Sequence, residues 1–165
     1  MNNEISIREF STTDLNALGD FITSGTWPFH SNQLTLPLTT DYFCKESKTL
    51  VAGRDAELLG YIRITEFIDG DSPLFDLRVA LKARGQGIGT ALVTTATTTV
   101  FSELTHTVRF EATTRIDNLP MIDLLEKLGW TKEAHYRKAW RLPNHQFCEA
   151  LGYAILREEW EKVLK

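Results

Sequence analysis

The stretch from Asp76 to Phe101, DLRVALKARGQGIGTALVTTATTTVF, constrains the fold of this chain more than any other. Leu77, Val79 and Leu81 alternate with Asp76, Arg78, Ala80 and Lys82, the period of a half-buried strand. Gly85, Gly87 and Gly89 then stand on alternate positions, where glycine permits positive φ and close approach of a ligand to the backbone. Ile88, Leu92, Ala96 and Val100 recur every fourth residue and predict a helix, although the five threonines from Thr94 to Thr99 lower its propensity. A glycine turn that opens a helix presents unpaired N–H groups at the positive end of the helix dipole. Such a turn suits an anion, most naturally a phosphate.

The charge distribution agrees. The formal net charge is −4, yet Leu77 to Ser102 holds no Asp or Glu and carries Arg78, Lys82 and Arg84. A P-loop is excluded, because no Lys-Ser/Thr pair follows the last glycine. The dinucleotide fingerprint G-x-G-x-x-G fails at Thr90. The spacing that fits is Gln/Arg-x-x-Gly-x-Gly/Ala, filled by Arg84, Gly87 and Gly89. In this loop the sequence resembles the GNAT superfamily of acyl-CoA-dependent N-acetyltransferases.

A second stretch carries the same resemblance. Asn118 to Trp130 reads as a helix that Asn118 caps, with Pro120 in its first turn and Gly129 at its end. Met121, Leu125 and Leu128 fall on one face, with Ile122 and Leu124 beside it. Asn118, Ile122, Leu124, Lys127, Gly129 and Trp130 match the superfamily's second signature in register. Met121 replaces a small residue there, and Leu125 stands where many members place a tyrosine. The ending Tyr153-Ala154-Ile155-Leu156-Arg157-Glu158-Glu159-Trp160 resembles the ribosomal-protein acetyltransferase-like branch.

The remaining elements read in chain order. Ile5 and Ile7 lie on a first strand, followed by a helix with Leu15, Leu18 and Ile22 on its apolar face. Ser24 to Thr40 is a loop punctuated by Pro28 and Pro37, and a short helix spans Thr40 to Lys45. Trp27, Phe29 and His30 in that loop either wall a ligand or fold back on the core. Leu50–Gly53 and Leu58–Phe67 form a hairpin, with a second turn at Ile68–Pro73. A strand over Val108–Ala112 precedes the Asn118 helix. A long hairpin, Ala134–Leu142 and Gln146–Leu156, turns at Pro143-Asn144 and leads into an end helix over Arg157–Lys165. The expected fold class is α+β, a single domain over residues 1–165. The resemblance implies the GNAT fold, a mixed twisted sheet of about seven strands with helices on both faces.

Composition narrows the class. At 42% hydrophobic and 24% charged residues the chain is an ordinary globular protein. Two cysteines, Cys44 and Cys148, are too few for a disulfide scaffold, and the expected setting is cytoplasmic. The N-terminus lacks the pattern of a signal peptide, and no apolar run reaches membrane-spanning length. The acidic balance argues against a nucleic-acid partner. No His/Cys cluster has metal-ligand spacing.

The resemblance implies transfer of an acetyl group from acetyl-CoA, the co-substrate, to a primary amine by direct attack in a ternary complex. The acceptor is an amine-bearing small molecule or a protein N-terminus. Leu77, Val79, Arg84, Gly85, Gln86, Gly87, Ile88, Gly89, Thr90, Asn118 and Lys127 are the expected coenzyme A contacts. The backbone N–H groups of Leu77-Arg78-Val79 are candidate oxyanion donors. Glu111, ranked above Asp76 and Glu66, is the candidate base, with a solvated strand carboxylate as the alternative. Asn118 can touch the pantetheine arm or a reacting group. Tyr153 and Tyr136 are candidate acids in place of the missing tyrosine at Leu125. Trp27, Phe29 and His30 are the expected acceptor contacts. The alternative function is a GNAT-shaped sensor or interaction module that binds acyl-CoA without turnover. A homodimer is compatible with these readings.

Overall fold

The computed structural model describes residues 4–30, 39–68, 71–142 and 144–163. Its strands are β1 (Ser6–Glu9), β2 (Ser47–Arg54), β3 (Glu57–Thr65), β4 (Leu74–Val79), β5 (Arg109–Arg115), β6 (Thr131–Arg141) and β7 (Phe147–Leu156). Its helices are α1 (Leu15–Ser24), α2 (Thr40–Cys44), α3 (Ile88–Glu103), α4 (Leu119–Lys127) and α5 (Arg157–Val163). The seven strands form one sheet in the order β1-β2-β3-β4-β5-β7-β6. This is the expected mixed α+β architecture. No described helix is long and apolar enough to cross a membrane.

Every neighbouring pair is antiparallel except β4 and β5. That parallel pair is joined only at Leu74↔Glu111, whereas β3 and β4 stay in register from Gly60↔Val79 to Thr65↔Leu74. Beyond Leu74, β4 and β5 therefore diverge, and an opening forms between them. Short-range pattern cannot reveal this divergence, because it is a relation between strands separated by a helix.

The helix over the threonine run forms in full. Ile88, Leu92, Ala96 and Val100 are each at most 1% exposed. Thr97 is buried too, and its hydroxyl donates to the Val93 carbonyl at 2.8 Å. Burial of this face against β2, β3 and β4 outweighs the weak intrinsic propensity.

Several boundaries move. β4 begins at Leu74 and stops at Val79, so Leu81 leaves the strand for a single 3₁₀ turn and stands exposed. β5 runs on to Arg115, because each of its residues pairs with β7. The expected turn residues Asp69, Gly70 and Pro143, the loop 31–38 and the last residues, 164–165, lie outside the described residues.

The structure separates Leu125 from Met121 and Leu128, with which it was expected to share one face of α4. Leu125 is fully buried in the main core, whereas Met121 and Leu124 are half-buried beside it. The apolar side of this helix is wide enough to serve both the core and the opening, and Leu125 serves the core. Leu125→Tyr is expected to overpack the site by about 1–3 kcal/mol. Leu125→Ala leaves a cavity and is expected to cost about 2–5 kcal/mol. Thermal melts of both variants check this, and an unchanged Tm would contradict the packing.

Candidate active site

A cavity of about 600 Å³ opens where β4 departs from β5. Three walls meet there: the β4 end and glycine turn, one side of α4 with the Asn118 before it, and the loop after α1. From the first come Leu77, Arg78, Val79, Arg84, Gly85, Gly87, Ile88, Gly89 and Thr90. Asn118, Pro120, Met121, Asp123, Leu124 and Lys127 form the second, and Trp27, Pro28, Phe29 and His30 the third.

The glycine turn is built for backbone exposure. Gly85 and Gly87 have φ of 73° and 81°, and Gly87 is the N-cap of α3. A Cβ on Gly87 would meet nothing within 4 Å, so its freedom serves the dihedral and the open space before it. Gly89 has a different reason. A Cβ there would stand 3.1 Å from Leu124 Cδ1, so this glycine lets α3 approach α4. Arg84 ties two walls together, donating from Nε to the Val79 carbonyl at 3.2 Å and from Nη2 to the Thr26 carbonyl at 3.3 Å.

Strand geometry locates the unpaired amides. Ala80 N–H donates to Leu59 C=O, and the register carries that alternation down β4. Asp76 and Arg78 therefore direct N–H groups toward β3, while Leu77 and Val79 direct theirs toward the open side. Cations dominate the charged lining: Arg78, Arg84 and Lys127 against one carboxylate, Asp123. The cavity can thus hold a polyanion near the turn and present backbone donors to a developing oxyanion.

The face of β4 expected to be solvated is covered instead. Trp27, Phe29 and His30 are half-buried, with the Trp27 indole accepting the Arg78 guanidinium at 5.3 Å from its centroid. Asp76 sits beneath them. His30 Nε2 lies 2.9 Å from Asp76 Oδ1, Tyr61 donates its hydroxyl to Oδ2 at 3.1 Å, and Arg78 Nε donates to Oδ2 at 3.2 Å. Burial alone would raise the Asp76 carboxyl; the hydrogen bond from His30 and the charge of Arg78 overcome it and hold the group below its ordinary value. Burial pushes the Tyr61 phenol up. Sequence reasoning missed this network. The available signal was an acidic and a basic residue two apart on one strand face.

Three expected site residues lie elsewhere. Glu111 is not among the cavity residues; it accepts from Arg109 Nε at 2.6 Å, and Arg109 also bridges to Glu133. Gln86 points to the Lys82 carbonyl on the outer side of the turn. Tyr153 is 2% exposed, and its hydroxyl donates to Glu126 at 3.0 Å. Asn118 does line the cavity, but its side chain does not cap α4; it donates to Thr114 Oγ1 at 3.0 Å.

Tyr153 has a measurable signature outside catalysis. Burial first, and then the hydrogen bond to Glu126, push its phenol up to about 12. The folded state holds this proton more tightly than the unfolded chain, whose tyrosines ionise near about 10. Its contribution is complete below that value and is lost as pH rises toward 12. Tyr153→Phe is expected to flatten the decline in stability across that window and to lower stability at neutral pH by about 1 kcal/mol. Turnover should stay near wild type. A collapse of turnover with an unchanged melt would return Tyr153 to the chemistry.

The sequence pattern of the acetyltransferase (GNAT) family matches residues 18–130, which span all three walls of the cavity. The chain belongs to the GNAT acetyltransferase family. Solved structures agree with the GNAT fold at low identity. A GNAT-family acetyltransferase from Streptococcus pneumoniae superposes with a TM-score of 0.79 at 18% identity, covering 93% of this chain and 99% of its own. A mutant spermidine N-acetyltransferase SpeG from Vibrio cholerae gives 0.79 at 15%, covering 99% and 100%. The protein smu.2055 from Streptococcus mutans UA159 gives 0.75 at 22%, covering 92% and 98%. No curated protein sequence matches this one. As a GNAT member the chain is an acyltransferase, with acetyl transfer to an amine as the family's general activity.

Proposed function

We propose that this chain is a single-domain acetyl-CoA-dependent N-acetyltransferase that acetylates a primary amine by direct transfer. The observation that carries the reading is one opening with two differently built walls. The glycine turn at the start of α3 offers N–H groups and nearby cations, which suits the phosphates of coenzyme A. Gly85, Gly87, Ile88, Gly89 and Thr90 would hold them, with Arg84 and Lys127 contributing charge. The aromatic loop forms the facing wall, where an acceptor amine would enter. Leu77 and Val79 lie between the two and carry the unpaired amides.

The chemistry needs no covalent enzyme intermediate. Attack of a neutral amine on a thioester requires proximity, a donor for the oxyanion and a route for one proton. Leu125 is buried in the core and offers no proton. Thiolate is a fair leaving group, so the reaction does not depend on an acid at that position.

An amine-bearing small molecule or a protein N-terminus fits the acceptor side. The spermidine N-acetyltransferase neighbours supply one amine to test first. The closing Tyr153 to Trp160 segment supports placement in the ribosomal-protein acetyltransferase-like branch, with a cytoplasmic setting and a homodimer as part of that reading. Thiol release from acetyl-CoA, measured across a panel of primary amines, tests the proposal. Amine-dependent release is expected. Tight acetyl-CoA binding without release on any amine would identify a sensor instead.

A further inference from the structure

The geometry points to an acceptor amine carried on an apolar body without a second charge, an alkyl or aryl amine or an N-terminus followed by apolar residues, and away from polyamines and lysine-rich peptides. This names the acceptor class for the acetyl-transfer reading above and rests on it.

A second ammonium on the acceptor needs groups that accept its hydrogens in place of water. The loop that walls the acceptor side has few left to give. The Thr26, Trp27 and Pro28 carbonyls take donors from Arg84, the His30 N–H and Arg115, at 3.3, 3.2 and 2.8 Å. The Trp27 indole N–H donates to the Ile22 carbonyl at 2.8 Å. His30 Nε2 is engaged by Asp76, and its Nδ1 is buried. Whatever part of the Trp27, Pro28, Phe29 and His30 side chains meets the cavity is therefore carbon.

The nearby carboxylates are committed as well. Asp76 is not among the cavity residues and is held by His30, Tyr61 and Arg78. Asp117 gives both oxygens to Arg115. Among the described residues Asp123 is the one carboxylate that lines the cavity, and Lys127, which also lines it, follows one turn later on α4. The aromatic rings are occupied too. Trp27 carries the Arg78 guanidinium and Phe29 that of Arg115, so an ammonium seeking either ring meets a like charge nearby. In sequence, Phe21 to Thr40 holds no Asp, Glu, Lys or Arg, in a chain that is 24% charged. An apolar body has the opposite balance: it gives up no hydrogen bonds on leaving water and gains burial against these side chains.

Matched pairs test this, with thiol release from saturating acetyl-CoA as the readout. n-Hexylamine and 1,6-diaminohexane have the same length and nearly the same basicity. Alanyl-leucyl-leucinamide and alanyl-lysyl-lysinamide differ only in their side chains. In each pair that is acetylated, kcat/KM per amino group should be about 10–100-fold higher for the apolar member, and spermidine should be as slow as the diamine. Equal values within a pair, or a preference for the charged member, overturn the proposal. A variant ties the preference to the wall. Phe29→Ala, checked for folding by a thermal melt, should cost the preferred apolar acceptor more than its short homologue, methylamine or alaninamide. Phe29→Leu should restore most of that difference. An equal loss on long and short acceptors makes Phe29 structural and removes the wall from recognition. A protein that binds acetyl-CoA by calorimetry yet releases no thiol with any primary amine fails the transferase reading itself. Release that favours the charged members leaves that reading standing and fails this one alone.

Discussion

Gly87→Val is expected to lower acetyl-CoA affinity by about 10–100-fold while leaving a folded protein, as read by isothermal titration and a thermal melt. The residue has φ of 81°, a region that a β-branched side chain adopts only under strain. Strain of about 1–3 kcal/mol must be relieved by moving the turn, and moving the turn reorients the N–H groups at the start of α3. The added methyls would also occupy space that no protein atom fills within 4 Å. Gly87→Ala carries the strain with less bulk and should fall between wild type and valine. Unchanged affinity in the folded valine variant would remove the phosphate-loop assignment.

The second large effect concerns the backbone of β4. Replacing the Leu77 or Val79 amide by an ester, through semisynthesis, deletes one N–H and keeps the side chain. The β3 ladder should survive, because both N–H groups face away from it. If one of them meets the oxyanion, its ester should lose about 10²–10³ in kcat, while the other changes far less. Acetyl-CoA affinity should move little, since the interaction strengthens as charge develops. Full turnover in both esters would send the oxyanion elsewhere.

Local pattern carried most of what positions the site. The glycine turn, the α3 face and the Asn118 helix were legible because each is set by residues within a few turns of one another. What was not legible depends on partners distant in sequence. Alternation along β4 distinguishes its two faces, but does not say that Trp27 and His30 fold over Asp76 and Arg78. Glu111 was placed on the right strand, yet its ion pair with Arg109, itself drawn toward Glu133 on β6, lies beyond any short window. On α4 five apolar residues surround most of the helix. Periodicity alone cannot decide that Leu124 borders the cavity and Leu125 the core.

The most direct measurement of the central claim is an ¹⁵N–¹H NMR titration of the protein with acetyl-CoA. Binding at the opening between β4 and β5 predicts the largest amide shifts at Gly85, Gly87, Gly89 and Thr90, with Leu77, Val79 and Asn118 following. Shifts confined to the smaller cavity around Lys45, Glu46 and Arg63, or absent at saturating acetyl-CoA, would contradict it.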